Sequence, residues 1–162
     1  PMWTSTKSIL LSISLLLAVG SAAASPREDF FPDGEGERRE YAVALGFGEA
    51  RLSGVCVVKC MEGAVVGSLL NEFGIRAFDF RYDPKRGRVR LSNLTAFLDR
   101  WYIRRTLRRD LALLLQCGAV SGERVVRGRS IRLCEDGSLE LNHMRRALSY
   151  RFTPLDPNRD ER

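Results

Sequence analysis

Side chains for catalysis are scarce in this sequence of 162 residues. It has a single histidine, His143, and it contains no G-x-S-x-G elbow, no H-E-x-x-H pair and no P-loop. One histidine among scattered acids and cysteines does not give the close spacing of zinc ligands. We therefore expect a protein that is not an enzyme and that binds no metal and no cofactor.

Long apolar runs are also absent. The N-terminal run from Ile9 to Val19 is about half as long as the roughly 20 residues that a membrane-spanning helix needs. Lys7 precedes this run, and small residues follow it up to Ala24, which predicts a signal peptide over residues 1–24. An uncleaved membrane helix is the alternative. Cleavage predicts export across the inner membrane of a bacterium, to the periplasm or the outer membrane, with peripheral membrane contact at most.

Lysine is rare, whereas arginine is abundant. Lysine occurs only at positions 7, 59 and 85, so 23 of the 26 cationic side chains are arginine, in a chain of net charge +6. Codon bias in a GC-rich genome and selection for bidentate anion binding explain this equally well. Because exported basic proteins seldom meet nucleic acid, we expect an anionic lipid, a polysaccharide or an acidic protein as partner, and no nucleic acid.

Four cysteines, an even number, permit disulfide bonds in an exported protein, with three possible connectivities. Cys56 and Cys60 lie on one face of a predicted strand about 13 Å apart, which is too far for a bond between them. Each would therefore need Cys117 or Cys134. The alternative is that all four are small buried apolar side chains.

Alternating apolar residues predict an antiparallel meander between residues 41 and 92. Its strands are separated by turn signals at Glu62-Gly63 and at residues 83–87. Further along, a hairpin is predicted to turn at Asp136-Gly137, before a last strand that runs from about Arg146 to Phe152. Connections as short as these leave no room for crossovers, so we expect the strands to pair antiparallel.

One long helix is predicted from near Leu94 to Gln116, capped by Ser92 or Asn93. Its apolar side changes along its length, so the helix must bend near Tyr102 or bury two different sides. The boundaries predict a single α+β domain over residues 41–153, after a flexible lead segment at 25–40 and before a tail at 154–162.

Five arginines crowd the middle of this helix: Arg100, Arg104, Arg105, Arg108 and Arg109. Those that lie three or four residues apart repel one another, and each pair costs roughly 0.2–0.5 kcal/mol. Asp99 and Asp110 have no arginine three or four residues away, so neither is expected to relieve the repulsion. The neutralising anion must come from outside the helix, either from carboxylates elsewhere in the fold or from a ligand.

Alternate positions of two paired strands form an apolar face, whose members are Phe78, Phe80, Tyr82, Val89 and Leu91. If the helix does not close fully on this face, the face lines a cleft that suits an acyl chain. Trp101, Tyr102 and the arginines would then meet lipid headgroups, since aromatic rings and cations share the interfacial zone of a membrane. If the helix does close, the same face is the core of the domain.

The run GSLLNEFGIRAFDFRYDPKRGRVRLSNLTAFLDRWYIRRTLRRDLALLL, residues 67–115, resembles a stretch in small exported proteins of the lipoprotein-carrier superfamily, the LolA/LolB-like half-barrels. In that stretch an antiparallel meander ends in a hairpin and is followed by a helix with a Trp-Tyr pair and a basic cluster. The resemblance implies a curved antiparallel sheet, or half-barrel, with a helix packed across its concave face over an apolar cavity. This chain is shorter than such carriers, which have more strands and another helix.

These observations predict an exported, non-enzymatic carrier or binding protein for a lipid or another apolar ligand in the bacterial envelope. Its expected partners are an anionic lipid or acyl chain and an envelope protein. The alternative is a structural or protein-interaction module of the envelope, with a closed core and no ligand. A third reading, sugar hydrolysis by Glu72 and Asp79, requires these two carboxylates to face each other.

Overall fold

The computed structural model describes residues 29–116 and 122–155, so the predicted signal peptide and Cys117 lie outside the described residues. In this part of the chain, five strands precede the helix and four strands follow it. The strands are β1 (Arg38–Phe47), β2 (Ala50–Met61), β3 (Ala64–Asn71), β4 (Arg76–Asp83), β5 (Arg88–Ser92), β6 (Glu123–Val126), β7 (Arg129–Leu133), β8 (Leu139–His143) and β9 (Leu148–Pro154), and the helix is α1 (Trp101–Gln116).

The strands form one curved, unclosed sheet in the order β5-β4-β3-β2-β1-β9-β8-β7-β6. Every described strand pair is antiparallel. The short connections predict this for consecutive strands, whereas β1 and β9 are distant in the sequence. The predicted turn at Glu62-Gly63 is confirmed: both residues have positive φ, at 52° and 68°, which is the backbone of a two-residue hairpin loop. The α+β class is thereby confirmed, and α1 follows one edge strand, β5, and precedes the other, β6.

The core consists of the inward-facing residues of the strands and one apolar stripe of α1. Strand residues such as Tyr41, Phe80 and Tyr150 belong to the same buried cluster as the helix residues Leu107, Leu111 and Leu114. The strand members recur every second residue and the helix members every three or four, as one-sided burial requires. Each fully buried apolar side chain of this size contributes roughly 1.5–3 kcal/mol relative to exposure. No helix in the described part of the chain is long and apolar enough to span a membrane.

The helix begins at Trp101, which corrects the predicted start near Leu94. Asn93 has a left-handed backbone, with φ at 52°, and its side chain donates to Asp79 Oδ2 at 2.6 Å instead of capping a helix. Residues 95–99 form a turn in which the amides of Leu98 and Asp99 both bond Thr95 O. The apolar side therefore changes where the turn ends and the helix begins, so the helix itself does not need to bend.

The N-terminal end of the described chain packs on the sheet. Phe31 is buried against Tyr41 and Phe152, and the Tyr41 hydroxyl donates to Phe30 O at 2.6 Å. Residues 38–40 already belong to β1. Part of the predicted flexible lead segment at 25–40 is therefore ordered, because its two phenylalanines complete the core.

The region after the helix contains one strand that the sequence did not predict. β6 pairs with β7 in a region for which the sequence analysis predicts no strand. The strand is only four residues long and mostly exposed, so it has no apolar alternation from which it could be recognised. The predicted hairpin at Asp136-Gly137 is confirmed between β7 and β8, with Gly137 at a φ of 79°.

Candidate functional site

An open groove lies between α1 and the turns of the sheet. It consists of two pockets, of about 810 and 690 Å³, that share Arg105, Arg109, Arg127 and Arg129. We call this feature the arginine groove. The first pocket is further lined by Trp101, Tyr102, Thr106, Gly128, His143, Met144, Arg145 and Arg146. The second is further lined by Gly87, Arg88, Val89, Arg108, Ala112, Leu113 and Gln116.

Several separate elements place arginines in this groove. Arg105 and Arg109 lie one helical turn apart on α1, so they share one face. Arg88 opens β5 directly after the β4–β5 turn, and Arg127 stands in the β6–β7 turn. Arg145 and Arg146 follow β8, in the loop that leads to β9. The groove therefore exists only because the sheet order brings these turns around one helix.

Arg127 occupies an unfavourable backbone conformation at the tip of the β6–β7 hairpin. Its φ is 50° and that of Gly128 is 75°, as in a turn that ordinarily favours Asn-Gly. A left-handed conformation costs most L-residues roughly 1–2 kcal/mol. An arginine at this position has a conformational cost, and the same residue lines both pockets of the groove.

Arginine is the commonest residue in the lining of the groove. Among residues 29–116 and 122–155, no aspartate or glutamate lines either pocket. Within residues 29–116 and 122–155, the ion pairs found involve none of seven arginines of the groove, which are Arg88, Arg105, Arg108, Arg109, Arg127, Arg145 and Arg146. Arg108 Nε makes only a 3.4 Å hydrogen bond to Arg104 O. This arrangement can bind an anion, because each guanidinium offers paired donors to phosphate or carboxylate oxygens.

A buried carboxylate lies beneath the groove. Asp110 has no solvent exposure, its Oδ1 lies 2.5 Å from Arg129 Nε, and its Oδ2 lies 2.7 Å from His143 Nε2. Both partners line the first pocket, so the floor of the groove joins α1 to β7 and β8. Asp110 is engaged with these two groups below the surface, so it does not pair with the other arginines of the groove.

Sequence reasoning missed this cluster. A signal was available: Asp110 falls on the buried stripe of the helix with Leu107, Leu111 and Leu114, and a carboxylate there needs a buried partner. Tyr150 lies in the same region. Burial and the neighbouring Asp110 carboxylate raise the pKa of Tyr150 well above its ordinary value, and its hydroxyl has no hydrogen-bond partner of good geometry in the described structure.

Only some of the five arginines predicted to lie on the helix line the groove. Arg105, Arg108 and Arg109 line the groove. Arg104 lies with Nε 2.5 Å from Asp99 Oδ1, so the expectation that Asp99 relieves no arginine is wrong. The expectation failed because it assumed a helix through Asp99, whereas Asp99 precedes α1 in a turn and can fold back. Arg100 also precedes α1, and it lines neither pocket of the groove.

The predicted apolar set does not come together in one cavity. Phe78 and Phe80 lie within the core, and Leu91 packs against it. Val89 borders the second pocket of the groove, and Tyr82 borders a separate pocket. Trp101 and Tyr102 are instead 72% and 55% exposed, with ring centroids 5.9 Å apart, at the end of the groove.

That separate pocket, of about 390 Å³, is the more apolar one. We call it the apolar pocket; its lining includes Phe31, Pro32, Cys60, Val65, Tyr82, Pro84 and Leu115, together with Asp29 and Asp33. Gln116 lines both this pocket and the second pocket of the arginine groove. A basic site and an apolar site therefore adjoin at the C-terminal end of α1.

The described cysteines are free thiols. Cys56 and Cys60 are buried in β2, and Cys134 is half-buried, so the disulfide bonds that the sequence permits are not formed among these three residues. Burial raises the pKa of the Cys56 thiol to about 12, and burial also raises that of Cys60. Buried protonated thiols are poor nucleophiles, so these side chains act as small apolar groups.

The acidic residues of the described structure do not assemble into a metal site. No group of three or more histidine, cysteine, aspartate or glutamate side chains in residues 29–116 and 122–155 is placed to hold a metal ion. Asp79 accepts hydrogen bonds from Ser68 and Asn93, and Glu72 accepts a 3.5 Å bond from Ser53. The two carboxylates suggested for sugar hydrolysis are thus each engaged with other groups.

Comparisons of the chain with protein-family models, with curated proteins and with solved structures found no match.

Proposed function

We propose that this chain is an exported, non-enzymatic carrier or binding protein for an anionic lipid in the bacterial envelope, similar in kind to the LolA/LolB-like half-barrels. The observation that supports the proposal is the arginine groove, where seven arginines come together. In the part of the chain that the structure describes, these arginines form no ion pair and no acidic residue lines the walls. An anionic headgroup would supply the missing negative charge.

The aromatic end of the groove supports a lipid in particular. Trp101, Tyr102 and Met144 are exposed beside the basic walls. Aromatic rings and arginines together suit the interface of a membrane, where one part of a molecule is apolar and the other charged. In this proposal α1 crosses the concave face of the sheet and presents the groove to the membrane surface.

The apolar pocket gives the acyl chain a place in the same proposal. It adjoins the groove at Gln116 and is bordered by Phe31, Tyr82 and Leu115. A lipid whose headgroup lies in the groove would pass Gln116 and place apolar carbon against these side chains. This arrangement replaces the wider cavity that the strand pattern predicts, because Phe78 and Phe80 already pack within the core.

The packed interior favours a second candidate, a protein-interaction module of the envelope with a closed core and no lipid. In that case an acidic protein surface would neutralise the groove. Extraction of lipids from the purified native protein separates the two candidates. Acyl chains that co-purify with the protein support the carrier, and a lipid-free protein that binds no vesicles supports the module.

Vesicle binding tests the role of the groove directly. Replacing Arg105 and Arg109 with Gln should weaken binding to phosphatidylglycerol vesicles at least tenfold, while phosphatidylcholine vesicles bind neither form. The Arg38→Gln, Arg81→Gln protein is the matched control: it loses the same charge from arginines that pair with Glu40 and Glu62 away from the groove. Equal losses in the two proteins would contradict a specific site.

A further inference from the structure

The arginine groove is much longer than one phosphate group. Along α1 it extends from Trp101, which lines the first pocket, to Gln116, which lines the second. These residues are 15 positions apart, which corresponds to about 22 Å at a rise of 1.5 Å per residue. A headgroup with a single phosphate would occupy only a part of this length.

Each pocket also has arginines of its own that form no ion pair in the described structure. Arg145 and Arg146 line only the first pocket, and Arg88 and Arg108 line only the second. At physiological ionic strength, exposed charges more than about 8 Å apart are largely screened from one another. An anion in one pocket would therefore leave the arginines that line only the other pocket without direct contact to it.

We propose that the ligand of the groove is a lipid whose headgroup carries two separated phosphate groups, one held in each pocket. This inference rests on the proposed function and specifies its ligand class. Arg105, Arg109 and Arg127 border both pockets, so they would lie between the two phosphates and bind oxygens of either one. A glycolipid phosphorylated at both ends of a disaccharide has this chemistry.

The exposed apolar side chains argue for a lipid over a free phosphate compound. Trp101 and Met144 are 72% and 63% exposed at the end of the first pocket, next to Arg145 and Arg146. A soluble polyphosphate would leave these side chains in water. A membrane lipid would cover them at the same time as its phosphates enter the groove.

The test compares diphosphoryl and monophosphoryl forms of one disaccharide lipid, each mixed into phosphatidylcholine vesicles at equal total phosphate. The full chain with Trp3→Phe leaves Trp101 as the single tryptophan, so its emission reports binding. We expect at least tenfold tighter binding to the diphosphoryl form. The Arg88→Gln, Arg108→Gln and the Arg145→Gln, Arg146→Gln proteins should each lose most of this preference, and the Arg38→Gln, Arg81→Gln control should keep it.

The possible outcomes separate this inference from the proposed function. Equal binding of the two lipids, still dependent on Arg105 and Arg109, would overturn the two-phosphate ligand and leave the lipid-binding function standing. Absence of binding to any anionic vesicle would overturn both. If soluble tripolyphosphate binds the groove as tightly as the diphosphoryl vesicles do, and Trp101 emission does not change on binding, the ligand is a free phosphate compound and not a lipid. Circular dichroism and urea unfolding of each variant establish that it is folded.

Discussion

At the scale of single residues, Arg127 contributes to the proposed binding site at a cost to the stability of the fold. Its left-handed backbone is costly for arginine, whereas the residue lines both pockets of the arginine groove. Asn tolerates this conformation far better. We expect Arg127→Asn to raise the free energy of unfolding by about 1 kcal/mol and to weaken binding to anionic vesicles.

The matched control for that prediction is Arg127→Gln, which removes the charge but keeps a side chain that disfavours the left-handed region. Both variants should lose binding to a similar extent, and only the Asn variant should gain stability in urea unfolding. Equal stability of the two proteins would show that the backbone of Arg127 holds no strain.

Part of the site could be predicted from the sequence because helical spacing is local. Arg105, Arg108 and Arg109 follow from the positions of residues along a single helix. Arg88, Arg127 and Arg145 could not be predicted in the same way, because each comes from a different turn. Their convergence depends on a nine-strand order in which β5 and β6 are opposite edges of the sheet.

At the scale of elements, the β7–β8 turn is stabilised by one carboxylate. Asp136 accepts hydrogen bonds from Ser138 Oγ at 2.6 Å and Ser138 N at 3.0 Å, and it pairs with Arg151 of β9 at 2.5 Å. The hydrogen bonds from Ser138, and then the charge of Arg151, lower the pKa of Asp136 from 3.8 to about 2. The turn is thereby tied to the neighbouring strand.

The sign of the pH effect follows from that lowered pKa. The contribution of Asp136 to stability is complete above pH 3.8, its ordinary pKa, and is lost as the pH falls toward about 2. In urea unfolding, Asp136→Asn should be less stable than the parent protein at pH 5–7, and the difference should shrink below pH 4. Glu135→Gln removes the adjacent carboxylate and should show no such convergence. A difference between Asp136→Asn and the parent that is constant from pH 7 to pH 3 would contradict the assignment.

The strands were more predictable than the boundaries of the helix. Alternation marks a strand directly, because every second residue faces the core. The predicted start of the helix was wrong because Asn93 is a favourable cap only in isolation. In the structure its side chain donates to Asp79 on β4, and Leu98 is buried as part of a turn. These are tertiary contacts, and no pattern within residues 92–101 reports them.

At the scale of the whole molecule, the arginine groove makes ionic strength act in opposite directions on folding and on binding. The folded chain brings together seven like charges that the unfolded chain keeps apart, and the net charge of +6 adds to their repulsion. Salt screens this repulsion between exposed groups, but it equally screens the attraction between the groove and an anionic surface.

We therefore expect an increase from 0.05 to 0.5 M NaCl to raise the urea midpoint of the free protein and to weaken its binding to anionic vesicles. In the Arg105→Gln, Arg109→Gln protein both responses should be smaller, because two charges at the centre of the groove are gone. In the Arg38→Gln, Arg81→Gln control the responses should stay close to those of the parent, since those arginines already have carboxylate partners. If salt destabilised the free protein, or left it unchanged, the arginines of the groove would have to be neutralised within the molecule, and the groove would need no external anion.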